Sequence, residues 1–249
     1  MLEITSRKNP LIAHLRKLGA SREYRYQSRE FLCDGVKLLR EAIACGAEIQ
    51  NIVTCRDDFD PGGDTACCRV PFELIEYISP LKNPQDVVFS CRMPQYGAEA
   101  APGGRYIILD GIQDPGNVGA IIRAASAFDF DGVMLTGGCA DPYNPKTVRS
   151  TMGAIFWQKV TEVSLRDVAA MKDAGIRLCG AAPRGDSRDV GDAALHGAAV
   201  AIGSEGRGLS DDVLSLCDEL IRIPMSPRSE SLNAAAAASI IMWEIYRKK

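Results

Sequence analysis

The stretch that decides the fold is Leu109-Asp110-Gly111-Ile112-Gln113-Asp114-Pro115-Gly116-Asn117-Val118-Gly119-Ala120-Ile121-Ile122-Arg123-Ala124-Ala125. An apolar run over 106–109 leads into a turn of Gly, Asp and Pro, and helical spacing follows over 118–128. The same alternation continues downstream. Strand-like segments occupy 132–136, 176–181, 198–202 and 220–223, and helical ones 165–174 and 232–246. Apolar strands separated by helices predict a parallel α/β sheet covered on both faces. Asn117 reads as the cap of the first helix. Arg123 is harder to dismiss as surface charge, because Gly119, Ala120 and Ala127 at its helical neighbours are all small. A guanidinium on such a face lies where another backbone approaches closely, and it needs an anionic or carbonyl partner there.

Two further segments stand out. Residues 199–210, Ala-Val-Ala-Ile-Gly-Ser-Glu-Gly-Arg-Gly-Leu-Ser, run from a strand into three glycines, and Ser210-Asp211-Asp212 then starts a helix. Glycines let backbone N–H groups approach a ligand. Neither a G-x-x-x-x-G-K-[ST] nor a G-x-G-x-x-G pattern is present, which weakens nucleotide-hydrolysing and dinucleotide readings. No acidic residue follows the second strand in Leu135-Thr136-Gly137-Gly138, where a dinucleotide fold needs one. The third segment is Ile223-Pro224-Met225-Ser226-Pro227-Arg228-Ser229-Glu230-Ser231-Leu232-Asn233, followed by five alanines. Capping explains one of Ser231 and Asn233. The alanines form a bare helical surface suited to tight packing.

Upstream, Asn9-Pro10 reads as a helix start, residues 30–33 as a buried strand, and 49–55 and 86–92 as two more. Residues 94–104 are rich in Pro, Gly and Ala without periodicity, and mark a linker. The 249 residues accommodate one large domain or two modest ones. No apolar run reaches the roughly 18 residues of a membrane helix, and the first residues lack a secretory pattern. Nine cysteines without C-x-x-C spacing and only two histidines predict reduced thiols, a cytoplasmic protein and no metal site. Residues 1–40 carry nine Lys/Arg against four acids, so this end is +5, whereas the whole chain is −3 and the remainder −8. A basic end on an acidic body fits local grip on a polyanion, and equally a solvated helical face.

The three segments, in this order and spacing, resemble the signature motifs of the SpoU (TrmH-like) 2′-O-ribose RNA methyltransferases of the SPOUT superfamily. The match covers about residues 105–249. The opening Ile4-Thr5-Ser6-Arg7-Lys8-Asn9-Pro10 and the stretch from Glu30 to Ala42 are similar to an L30e-like RNA-binding domain found in rRNA-directed members. The resemblance implies domains at 1–95 and 105–249 joined by a linker at 96–104. It implies a carboxy-terminal parallel-sheet domain tied in a trefoil knot, a rare exception to unknotted topology, plus a smaller amino-terminal α/β domain. It further implies S-adenosylmethionine as cofactor, touched by Thr136, Gly137, Gly203, Ile223, Met225, Ser231 and Leu232. Structured RNA is the implied substrate, 23S rRNA ahead of tRNA, and a homodimer forms through the carboxy-terminal domain.

By the same resemblance Arg123 activates the ribose 2′-hydroxyl, with Asn117, Glu205, Ser231 and Asn233 positioning it and the RNA. A guanidinium with a pKa above about 12 is a poor base. Arg123 acting as base and Arg123 stabilising a developing alkoxide or clamping a phosphate therefore stand side by side. Glu205 either fixes the glycine loop or takes part in the chemistry. Arg7, Lys8, Arg22, Arg29 and Arg149 are the expected RNA contacts, through phosphates and RNA shape. An RNA-binding protein of the same fold without turnover is the alternative, opposed by the joint presence of Asn117, Arg123, Glu205, Ser231 and Asn233.

Overall fold

The computed structural model describes residues 2–62, 66–228 and 231–248. The chain forms two compact units, Met1–Gln95 with Asp141–Phe156, and Tyr96–Ala140 with Trp157–Lys249. The sequence pointed to a single division at 96–104. The segment Asp141–Phe156 departs from that expectation.

In the first unit a five-stranded sheet has the order β1 (Leu2–Glu3), β4 (Cys67–Arg69), β3 (Ile49–Thr54), β5 (Val87–Arg92), β2 (Glu30–Asp34). β5 runs antiparallel to both β2 and β3, and the other pairs are parallel. Helix α1 (Pro10–Ala20) begins as its sequence dictates, with Asn9 accepting a hydrogen bond from the Leu11 amide at 2.9 Å and Pro10 at the first position. Its Ile12, Leu15 and Leu18 are fully buried against α4 (Phe72–Ile78) and the sheet. Helices α2 (Arg22–Ser28) and α3 (Val36–Ala44) flank β2 in sequence.

The segment Asp141–Phe156 carries α6 (Pro145–Thr151) and a 3-10 turn (Ala154–Phe156), and it packs on β2. Phe31 meets Tyr143 and Phe156 at ring distances of 5.0 and 6.1 Å. Arg25 and Asp141, 2 % and 8 % exposed, form a buried ion pair. Arg25 Nε and Nη2 donate to Asp141 Oδ2 at 3.0 and 2.5 Å, and Nη1 donates to the Leu18 carbonyl at 2.7 Å.

The second unit is a seven-stranded, wholly parallel sheet. Its order is β10 (Arg188–Asp189), β12 (Glu219–Arg222), β9 (Leu178–Ala181), β11 (Ala199–Gly203), β6 (Tyr106–Asp110), β7 (Gly132–Leu135), β8 (Val160–Glu162). Its central strands are buried throughout, the pattern of a sheet covered on both faces. One face packs on Val168 and Met171 of α7 (Leu165–Asp173) and Val213 of α8 (Asp211–Leu216). α5 (Pro115–Ala127) and α9 (Ala234–Arg247) pack on each other, and they contact β7 and β11 respectively. Among the described residues no helix is long and apolar enough to cross a membrane.

Candidate active site

The carboxyl ends of β6, β7, β9, β11 and β12 lie on one edge of the parallel sheet, where α/β folds place their ligands. The loop after β11 doubles back, with reciprocal Ser204–Gly208 backbone hydrogen bonds at 3.1 and 2.8 Å. A Cβ on Gly203 would fall 2.0 Å from the Gly208 carbonyl carbon, so only glycine fits there. This loop separates two cavities. One, of about 370 Å³, is walled by Ala181 at the end of β9 with Ala182 and Pro183 after it, by Gly203, and by Ile223, Met225, Ser231 and Leu232. The other, of about 480 Å³, is the more polar of the two, and Asp110, Gln113, Asp114, Asn117, Gly137 and Arg207 are among its lining residues. Ser204, Glu205, Gly208 and Ala234 border both.

At that shared wall a carboxylate gathers two helix starts. The cap of α5 is Asp114, which accepts from the Asn117 amide at 2.8 Å, with Pro115 as the first helical residue. The helix therefore begins three residues earlier than the sequence suggested, and the Asn117 side chain is released from capping. Its Nδ2 donates to Glu205 Oε1 at 2.8 Å. Asn233 does cap α9, its Oδ1 accepting from the Ala235 and Ala236 amides at 3.0 and 3.2 Å. That leaves Asn233 Nδ2 to donate to Glu205 Oε1 at 2.7 Å and to Asn117 Oδ1 at 3.0 Å. The Ala234 amide adds a third donor to Glu205 Oε1, at 3.2 Å. A carboxylate at the N-terminus of a 14-residue helix is favoured by the helix dipole as well.

The expected cofactor residues divide. Gly203, Ile223, Met225, Ser231 and Leu232 surround the aliphatic cavity. Gly137 lines the polar cavity instead, because β7 lies beyond β6 from β11. Thr136 is buried, and its hydroxyl donates to Asp110 Oδ1 at 2.8 Å. Asp110 also accepts from the Ser210 amide at 2.6 Å, anchoring the start of α8. Ser229 and Glu230 of the third segment lie outside the described residues. Asn117, Glu205 and Asn233 meet directly, and Ser231 lines the aliphatic cavity that Glu205 also borders. Arg123 does not join them. It sits roughly 9 Å along the helix from Asn117 and about 120° around it, is exposed, and has no hydrogen-bond or ion-pair partner among the described residues. Ala181–Pro183 and Asp110 were missed by the sequence reading. The signal for the former is their position at the end of a buried strand and immediately after it.

All five expected RNA contacts fall in the first unit, Arg149 through the Asp141–Phe156 segment. Arg7 stacks on the Tyr77 ring with its guanidinium carbon 4.9 Å from the centroid, beside Arg16 at 5.2 Å. Arg22 lies over Tyr26 at 5.2 Å. Lys8 is exposed, and Arg29 closes α2 in a left-handed conformation at φ 57°. Arg149 Nη1 donates to the Asn83 carbonyl at 3.2 Å, next to a small cavity shared with Lys37 and Asp34. Burial holds the Asp34 carboxyl above its usual value despite hydrogen bonds from Ser79 and Gln85. Among the described residues no cluster of His, Cys, Asp and Glu could hold a metal ion.

A parallel α/β sheet thus carries two adjoining cavities and a Glu–Asn–Asn junction at its carboxyl edge. The chain belongs to the SpoU rRNA methylase family, whose pattern matches residues 104–243, and residues 9–88 match the MRM3-like substrate-binding domain. It is 29% identical over 249 residues to the Bacillus subtilis 23S rRNA (guanosine(2553)-2′-O)-methyltransferase RlmP, covering 98% of this chain and 99% of that protein. It is 31% identical to the 23S rRNA (uridine(2479)-2′-O)-methyltransferase of Streptomyces viridochromogenes, covering 99% and 92%. The AdoMet-bound rRNA methyltransferase from Sinorhizobium meliloti superposes with a TM-score of 0.86 at 29% identity, covering 99% of this chain and 97% of that one.

Proposed function

We propose that the chain transfers a methyl group from S-adenosylmethionine to a ribose 2′-hydroxyl of 23S rRNA, with tRNA as the competing substrate class. The observation that carries this reading is the Glu205–Asn117–Asn233 junction standing between an aliphatic and a polar cavity. The aliphatic cavity fits the cofactor. Its volume falls in the roughly 300–1,000 Å³ of small-molecule sites, and Ile223, Met225, Leu232 and neighbouring alanines offer flat apolar walls with main-chain polar groups. Held there, the cofactor would supply an electrophilic methyl carbon to a ribose oxygen, with the carbon–sulfur electron pair left on sulfur. Because that displacement neutralises charge, the protein's main task is alignment. Asn117 and Asn233, each fixed by Glu205, set the geometry of the junction. Glu205 Oε1 is committed to three donors, and we assign Oε2 to accept first the hydrogen bond and then the proton of the reacting hydroxyl as its oxygen bonds to the methyl carbon.

Arg123 acts, on this reading, in the site of a second copy. α5 and α9 support a homodimer through the carboxy-terminal unit. Ile240 and Trp243 are 38 % and 48 % exposed. Trp243 packs with Phe128 and Tyr246, and Trp157, also 48 % exposed, donates to Ser126 on α5. Both tryptophans of the chain thus flank the helix that carries Arg123. The amino-terminal unit, residues 1–95 completed by 141–156, recognises RNA through Arg7, Lys8, Arg22, Arg29 and Arg149. The three segments crowded at the sheet edge favour a knotted path for residues 105–249, and nine unpaired thiols favour a reducing cytoplasm.

The test is calorimetric titration with S-adenosylmethionine, followed by incubation of donor and protein with unmodified 23S rRNA and, separately, total tRNA. Nuclease digestion and mass spectrometry should find one new 2′-O-methyl nucleoside in the rRNA. Absence of donor binding, or methylation confined to tRNA, overturns the assignment.

A further inference from the structure

We infer that the polar cavity of about 480 Å³ receives the sugar and base of one unpaired nucleotide of the RNA, and that Gly137 and Gly206 are glycine to leave room for it. The inference rests on the proposed function and specifies its acceptor side.

Five glycines line this cavity. Three of them, Gly111, Gly138 and Gly208, have φ of 66°, 85° and 71°, so backbone conformation alone accounts for them. Gly137 and Gly206 are different. Neither has a positive φ, and a Cβ built on either would meet nothing within 4 Å. Neither strain nor packing within the chain calls for glycine at these two positions. Both line the cavity, so a side chain at either would occupy open space at its wall.

The charge of the lining selects which part of an RNA enters. Asp110, Asp114 and Glu205 stand against Arg207 alone, so phosphates are disfavoured inside. Gln113 and Arg207 have no hydrogen-bond partner among the described residues, and they border the cavity as groups able to meet a base edge or a phosphate at the rim. A paired A-form helix displays its 2′-hydroxyls in a wide, shallow groove. Such a surface does not fit into a recess, whereas a nucleotide splayed from a loop or turned out of its stack does.

The experiment compares Gly137→Ala, Gly206→Ala and Gly206→Val with a control, Gly191→Ala. Gly191 is exposed, lacks positive φ, has open space around its Cβ and touches neither cavity. Melting temperature, S-adenosylhomocysteine affinity and methyl transfer to unmodified 23S rRNA are measured for each. Saturation-transfer NMR with guanosine and uridine, in saturating S-adenosylhomocysteine, reads nucleoside contact without turnover. The three cavity variants should melt with the wild type and bind S-adenosylhomocysteine equally well. Their transfer should fall about 100-fold, the penalty of a roughly 1 Å misplacement, Val more than Ala, with the NMR signal lost. Transfer within threefold of wild type in folded variants overturns the inference, as does donor affinity falling in step with transfer. If one substitution lowers the melting temperature, the other two decide. Failure of the wild type to bind S-adenosylhomocysteine defeats the proposed function itself, a separate and recognisable result.

Discussion

Replacing Asp141 by alanine should unfold the amino-terminal unit well before the rest of the protein. Asp141 accepts from Arg25 Nε and Nη2, from the Tyr143 amide at 2.9 Å and from the Tyr26 hydroxyl at 3.4 Å. Both partners of the ion pair are more than nine-tenths buried, so solvent screens it little. Without the carboxylate, the Arg25 guanidinium keeps only the Leu18 carbonyl and stays buried as an uncompensated charge. Breaking such a pair from one side costs about 3–5 kcal/mol. At roughly 4 °C per kcal/mol for a unit of this size, the melting temperature should drop on the order of 15 °C. Replacing both partners, as Arg25→Met with Asp141→Leu, should recover much of the loss, since an apolar pair of similar volume is often neutral. Scanning calorimetry of the full chain should show the lower transition moving alone, and hydrogen exchange should rise across 141–156 and β2. A melting shift of only a degree or two for Asp141→Ala, or a double variant worse than the single one, would refute the ion pair as the clamp.

Arg123→Ala should nearly abolish methyl transfer and leave donor affinity intact. Co-expressed Arg123→Ala and Glu205→Gln chains should regain activity through the one intact site of each mixed dimer, and a mixture as inactive as either parent excludes action across the dimer. Deleting residues 1–95 alone should give aggregating protein, because Tyr143, Val148 and Ile155 lose their covering. Deleting 1–95 and also replacing 141–156 with a short glycine linker should yield a soluble, donor-binding unit, which calorimetric titration checks. Burial pushes the Cys139, Cys179 and Cys217 thiols up to about 11 from an ordinary value of 9.0. The folded state thus holds protons that the unfolded chain releases, and stability should fall between about pH 9 and pH 11. Urea midpoints across that range, against a triple Cys→Ala variant, should show the slope lessen in the variant, and identical slopes would remove these thiols as its cause.

Much of the parallel sheet was legible, because buried strands write themselves as unbroken apolar runs. Residues 106–109, 132–136, 176–181, 198–202 and 220–223 each coincide with an observed strand to within two residues at either end. β10 and β8, of two and three residues, are too short to carry a pattern. The five residues of the aliphatic cavity wall came from a resemblance, since no local rule brings Gly203 to Ile223 and Leu232. Asn117 shows the limit of capping logic. Both Asp114 and Asn117 are good caps, and Pro115 decides between them by fixing the first helical residue. The Asp141–Phe156 segment was illegible for another reason. Its partners Arg25 and Phe31 lie more than a hundred residues away, and nothing in a local pattern reports such pairing.

That segment also sets a timetable for the chain as it leaves the ribosome. Strand β2 and the guanidinium of Arg25 emerge early, yet their covering, Asp141–Phe156, begins 46 residues after Gln95 and ends 61 after it. At about 5–20 residues per second the nascent first unit waits several seconds with that face bare. The leading unit is complete only at Phe156, still ahead of the second unit, which needs α9, and the interval is one in which a holdase would find a target.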